Sequence, residues 1–171
     1  YYFDWSVWEI FITLTSGASL HIVPSELVMI KEFCMDYMRE NNITVLHATP
    51  TQWQYLVGVT KNDSKHTEGF ETLDYLFIGA EKLTYALVER TFKRVKDTCR
   101  VFNMYGPTEA SIISAVLEIE RSNLHSYKSF SSIPIGRGVA NAELLILDRY
   151  MNPVPLMVSG ELYIGGYGIA L

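Results

Sequence analysis

The feature that most limits the fold is an alternation, over the first 105 residues, of short apolar runs with helical stripes. Ile43–Ala48, Leu73–Ile78 and Arg100–Met104 have the length and content of buried strands, and Ala18–Val23, closed by Pro24, reads as another. Between them, Leu27, Ile30, Phe33, Cys34, Tyr37 and Met38, and later Leu87, Val88 and Phe92, repeat at three- and four-residue spacing. Strands that alternate with helices in this way predict βαβ units and a parallel sheet. A further helix is expected over Val7–Leu14, with Ser6 as N-cap, Glu9 as its capping-box partner and Gly17 as its end. Pro50 opens another through Val59, and Lys61–Gly69 reads as a polar surface loop.

The last third changes character. Ile112–Glu118, Ala142–Asp148 and Gly160–Ile164 are strand-like, separated by Gly and Pro turns without a helical stripe. The expected fold class is therefore α/β, a parallel sheet with flanking helices over residues 1–125. Antiparallel strands of a small barrel-like subdomain follow over residues 126–171. The chain starts without Met and stops inside an apolar, Gly-rich pattern, so both parts are expected to be fragments of one larger domain.

Composition narrows the function. With 14 basic against 19 acidic side chains the net charge is −5, and no Lys/Arg-rich stripe offers a footprint for nucleic acid. No apolar run reaches membrane-spanning length, and no signal peptide is visible, which makes a cytoplasmic home the default expectation. Cys34 and Cys99 lack metal-ligand spacing and are expected to be buried thiols.

The segment richest in chemistry is Asn103-Met104-Tyr105-Gly106-Pro107-Thr108-Glu109, just beyond a predicted strand. Ligands of open parallel sheets bind outside the carboxyl ends of strands. Tyr105 offers a flat face for a purine, Asn103 an amide for a base edge, and Gly106 close backbone approach. Thr108 can donate to a phosphate oxygen, and Glu109 is a hard ligand suited to Mg²⁺. Taken alone, the same residues also describe a Gly-Pro turn with Thr108 capping the next element.

The whole chain resembles the adenylate-forming superfamily in the form used by adenylation domains of nonribosomal peptide synthetases. Asn103–Glu109 is similar to the family's NxYGPTE core and Phe3-Asp4-Trp5-Ser6 to its FDxS motif. Leu76–Glu81 matches the strand ending in GGE, Ile133–Arg137 with Asn141 the PIGR…N stretch, and Gly160–Gly166 the GELxIGG signature. Five motifs in register are a specific signal.

The resemblance implies activation of an amino acid by ATP and Mg²⁺ to an aminoacyl-adenylate. The product is then loaded onto phosphopantetheine of an adjacent carrier domain, beside a condensation domain. It gives Thr108 the α-phosphate, Glu109 the metal, and Ala80, Asn103, Tyr105 and Gly106 the nucleotide. The amino-acid pocket would be Asp4, Trp5, Trp8, His47, Phe77, Gly79, Met104, Ile112 and Ile113, with Asp4 facing the substrate ammonium. Trp5, Trp8, Phe77, Met104, Ile112 and Ile113 are bulky and uncharged, which favours a small neutral side chain, apolar or hydroxylated. Several positions depart from the family pattern: Ala80, Gly138, Met157 and Leu171 stand where Gly, Pro, Gly and Arg are usual. The family's phosphate loop, ribose-binding segment and C-terminal catalytic lysine have no counterpart here, so the isolated chain is expected to be inactive. An acyl-CoA synthetase-like ligase and a non-catalytic nucleotide-binding domain are the alternatives.

Overall fold

The computed structural model describes residues 3–28, 30–58 and 70–170, so the expected loop at 61–69 lies outside the described residues. The chain divides into two compact units, each gathered from separate stretches of sequence. One comprises His21–Asn103 and Leu117–Pro134; the other comprises Tyr1–Leu20, Met104–Val116 and Ile135–Leu171.

The first of these holds the βαβ pattern. Its elements are α2 (Ser25–Val28), α3 (Lys31–Glu40), β1 (Val45–Ala48), α4 (Pro50–Val57), β2 (Tyr75–Gly79) and α5 (Tyr85–Phe92), leading into β3 (Arg100–Tyr105). Helix α4 starts where the sequence supplies its orphan amides with partners. The Thr49 side chain accepts from Gln52 N, the Gln52 side chain answers to Thr49 N, and Pro50 occupies the first turn. Helix α5 is capped in the same way, Thr84 accepting from Leu87 N.

Strands β1 and β2 pair in parallel from Val45↔Tyr75 to Ala48↔Ile78. Alternate residues of β2, Leu76 and Ile78, are fully buried and join Trp53, Leu73, Val88 and Val101 in the core. The Trp53 indole N–H donates to Thr91 Oγ1 at 2.7 Å inside that core, and the Thr91 hydroxyl donates in turn to the Leu87 carbonyl. Both cysteines are free, Cys99 buried and Cys34 half-buried.

The other unit contains α1 (Trp5–Thr15), β5 (Arg137–Gly138), β6 (Ala142–Leu147) and β7 (Glu161–Gly166). Strands β6 and β7 form a two-stranded antiparallel sheet, and β5 pairs antiparallel with β4 (Ala115–Ile119). The larger sheet has the order β1-β2-β3-β4-β5. Gly166 closes the β6–β7 ladder at φ +112°, and a Cβ there would lie 2.0 Å from the Asn141 carbonyl oxygen. The glycine that ends the GELYIGG segment is therefore required by its neighbour Asn141.

Three local expectations differ from the structure. Residues 18–24 are irregular rather than a strand, with Ile22 78% exposed; a short apolar run becomes a strand only when another strand takes its hydrogen bonds. Helix α1 begins at Trp5, so Ser6 lies inside the first turn and bonds the Phe3 carbonyl instead of capping. Residues Arg121–Tyr127 form a 3₁₀ helix, whose three-residue period leaves no 3.6-residue stripe to read. Among the described residues no helix is long and apolar enough to cross a membrane.

Candidate functional site

Strand β3 ends at Tyr105, and the chain turns through Gly106 and Pro107 into a single 3₁₀ turn, Thr108–Ala110. Tyr105, Thr108 and Glu109 are exposed on this loop. The turn is held by its own backbone, Ala110 N to Pro107 O at 3.0 Å and Ser111 N to Thr108 O at 3.2 Å. The loop then makes an unusual reversal. Ser111 and Ile112 both adopt positive φ, +57° and +76°, before Ser114 N returns to the Tyr105 carbonyl at 2.8 Å. For a β-branched residue such as Ile112 that conformation is a true outlier, and strain of this kind collects at functional sites.

Gly106 explains how the loop closes. A Cβ on it would meet the Ile112 carbonyl oxygen at 2.4 Å and the Ile113 Cα at 2.8 Å. The close approach expected at Gly106 is thus made by the chain's own backbone. Its lack of a side chain lets Ile112 and Ile113 fold back over the Gly-Pro turn, which puts both half-buried side chains on the loop that carries Thr108 and Glu109. Met104, 4% exposed, precedes the loop on β3.

On α1 of the same unit, Asp4 occupies the N-cap position, yet its carboxylate makes no capping hydrogen bond. Capping therefore does not account for an acid there. Trp5 is buried and its ring lies 5.3 Å from that of Phe3, while Trp8 is half-buried.

In the other unit, His47 and Phe77 are register partners on β1 and β2, their rings edge to face at 6.4 Å. Phe77 also stacks on Phe102 at 5.0 Å, in a row that Tyr75 continues and the Arg100 guanidinium covers. Glu118 binds that guanidinium through two bonds of 2.7 Å. The Arg100 bond, against a smaller effect of burial, holds the Glu118 carboxyl below the usual carboxylate range.

Strand β2 ends at buried Gly79, and Ala80 beyond it is exposed in the left-handed region, φ +67°. Where the family pattern has Gly, this chain accepts a conformation that costs an alanine about 1 kcal/mol or more. Glu81 secures the turn by accepting from the Thr51 amide and hydroxyl at the start of α4. Asn103 is buried, and its amide nitrogen donates to the Pro134 carbonyl at 2.8 Å and the Ile133 carbonyl at 3.4 Å. Its amide N–H donors tie β3 to residues 133–134.

Among the described residues no group of three His, Cys, Asp or Glu stands ready to hold a metal ion. Mg²⁺ does not need one: it keeps several waters and takes one or two carboxylates together with substrate phosphates. An exposed Glu109 beside the Thr108 hydroxyl fits that demand. The exposed ring of Tyr105 fits a flat heterocycle.

The AMP-binding enzyme family matches residues 1–171, the whole chain. The chain belongs to that family. As a family member it is 39% identical over 170 residues to malpinin synthetase of Mortierella alpina, covering 98% of this chain and 2% of the relative. It is 33% identical over 168 residues to tyrocidine synthase 1 of Brevibacillus parabrevis, covering 98% of this chain and 14% of the relative. The solved nonribosomal peptide synthetase FmoA3 superposes with a TM-score of 0.85 at 25% identity, over 99% of this chain and 18% of that one. Holo-AB3403, a four-domain nonribosomal peptide synthetase bound to AMP and glycine, gives 0.80 at 31%, over 99% and 12%. The chain thus spans only a small part of the relatives it matches.

Two contacts that shape this AMP-binding fold are not legible in the sequence. Glu81 acts through Thr51, 30 positions away, and Ser111 through Gly168, 57 positions away. No local pattern announces either contact.

Proposed function

We propose that the chain is part of an adenylation domain that activates an amino acid with ATP for nonribosomal peptide synthesis. The observation that carries this reading is the exposed Thr108–Glu109 turn at the carboxyl end of β3, within a family match that spans the whole chain. In the reaction an amino-acid carboxylate oxygen attacks the α-phosphorus of ATP. A mixed anhydride forms and pyrophosphate leaves. Thr108 donates to the α-phosphate, Glu109 would hold Mg²⁺, and Tyr105 packs on the adenine. Mg²⁺, when bound, spreads the charge that builds on phosphorus.

Asp4 supplies the counter-charge for the substrate ammonium, a role supported by its freedom from capping. Trp5, Trp8, Met104, Ile112 and Ile113, with His47, Phe77 and Gly79, select the side chain. Trp5, Trp8, Phe77, Met104, Ile112 and Ile113 are bulky and uncharged, which favours a small neutral amino acid. The phosphopantetheine thiol of a carrier domain, next to a condensation domain, then attacks the acyl carbon; a thioester forms, the acyl–phosphate bond breaks and AMP leaves. Residues 1–125 and 126–171 are pieces of the same larger domain.

A pyrophosphate-exchange assay on the full-length protein, run against a panel of amino acids and fatty acids, tests the proposal. Exchange driven by small neutral amino acids, with that preference lost in Asp4→Ala, is the expected result. Fatty-acid-driven exchange overturns the amino-acid reading in favour of an acyl-activating ligase. Exchange driven best by acidic or basic amino acids overturns the pocket assignment alone.

A further inference from the structure

The loop that carries the proposed chemistry is held by main-chain bonds and by a side-chain tether. The Thr108–Glu109 half is fixed by main-chain bonds: the two within the 3₁₀ turn, and one from Ala170 N to the Glu109 carbonyl at 2.8 Å. The Ile112–Ile113 half also has the side-chain tether. Ser111 Oγ donates to the Gly168 carbonyl at 2.6 Å. Gly168 packs so closely that a Cβ on it would meet the Ala110 carbonyl oxygen at 3.3 Å and the Ser111 Cβ at 3.5 Å.

Ser111, Ile113, Asn141, Gly168 and Ile169 also line a half-open pocket of about 280 Å³. It leaves open space beside Ser111 and Ile113. A strained backbone persists only where its surroundings over-determine it, and here the Ser111 hydroxyl adds to the main-chain bonds from Ile113 N to the Ser111 carbonyl at 2.9 Å and from Ser114 N to the Tyr105 carbonyl at 2.8 Å.

We infer that Ser111 is a positioning residue: its bond to Gly168 O holds Ser111 and Ile112 in the left-handed region and so sets where Ile112 and Ile113 meet the substrate side chain. This rests on the adenylation reading above. Because the bonds at Thr108 and Glu109 are main-chain bonds that remain when the Ser111 hydroxyl is removed, the tether governs the amino acid and not the nucleotide.

The test is amino-acid-dependent pyrophosphate exchange by the full-length protein, comparing wild type with Ser111→Ala, Ser111→Thr and Ser111→Gly. Ser111→Ala is expected to raise the KM for the amino acid about tenfold, the scale of one lost hydrogen bond, at unchanged ATP KM and with Tm lowered by about a few degrees. Ser111→Thr keeps the hydroxyl but places a β-branched carbon in the left-handed region, so it restores the KM in part. Ser111→Gly tolerates positive φ but lacks the hydroxyl, so it behaves like Ser111→Ala.

An unchanged amino-acid KM in Ser111→Ala, or wild-type behaviour in Ser111→Gly, overturns the inference. So does an equal rise in the KM values for the amino acid and for ATP, which marks a merely structural residue. Absence of amino-acid-dependent exchange in the wild type overturns the functional reading, and this inference with it.

Discussion

Substituting Gly106 by Ala probes the geometry on which the candidate site depends. The new Cβ would stand 2.4 Å from the Ile112 carbonyl oxygen, and 2.8 Å from both the Ile112 carbonyl carbon and the Ile113 Cα. Carbon atoms rest at about 3.5 Å or more, so the Ile112–Ile113 backbone would have to retreat by roughly 0.7 Å. The three atoms are main chain, so no side chain can swing away to relieve the contact. The retreat is also resisted from both sides, by Ser114 N on the Tyr105 carbonyl and by Ser111 Oγ on Gly168. Overpacking of this kind costs about 1–3 kcal/mol. A displacement near 1 Å in a positioned site can cost about 100-fold in rate. Gly106→Ala should therefore lower Tm by several degrees and reduce pyrophosphate exchange by about two orders of magnitude, the second effect exceeding what the first accounts for. Wild-type exchange at an unchanged Tm would refute the argument, because it would mean that the loop yields freely.

Glu109→Gln should depress exchange most at low Mg²⁺ while leaving amino-acid binding close to wild type, since the lost charge acts where phosphate charge develops; Mg²⁺ titration of the rate checks this. Thr91→Val should destabilise by about 1–3 kcal/mol, less the gain from one buried methyl, because it leaves the buried Trp53 indole N–H without an acceptor; chemical denaturation measures it. Burial pushes the Cys99 thiol up to about 11 in the folded protein. The unfolded chain releases that proton first, so stability present below pH 9 should be lost as the pH climbs toward 11. Tm measured across that range should fall less steeply in Cys99→Ala.

Much of the fold was legible from local pattern. The strand–helix alternation anticipated β1, α4, β2, α5 and β3 in order, and the turn-rich last third anticipated the antiparallel pair β6 and β7. These elements are announced by periodicity, by the Thr49 and Thr84 caps and by Pro50, all of which act within a few residues of chain. Where local pattern alone was used, it failed in proportion to its dependence on distant partners, as at residues 18–24 and at Ser6.

At the candidate site the sequence by itself determined which residue types are present, and hence the class of chemistry: a carboxylate and a hydroxyl beside a Gly-Pro turn, with an aromatic ring just before it. Tertiary structure decided how they are used. It turned the Asn103 amide inward onto residues 133–134, spent the space at Gly106 on the Ile112 backbone, and tied Ser111 to Gly168 across 57 positions. Residue type and short-range spacing encode what a side chain can do. Which donor meets which acceptor across dozens of residues is settled only when the chain closes on itself, because hydrogen bonds and steric contacts act over a few ångströms of space, not of sequence.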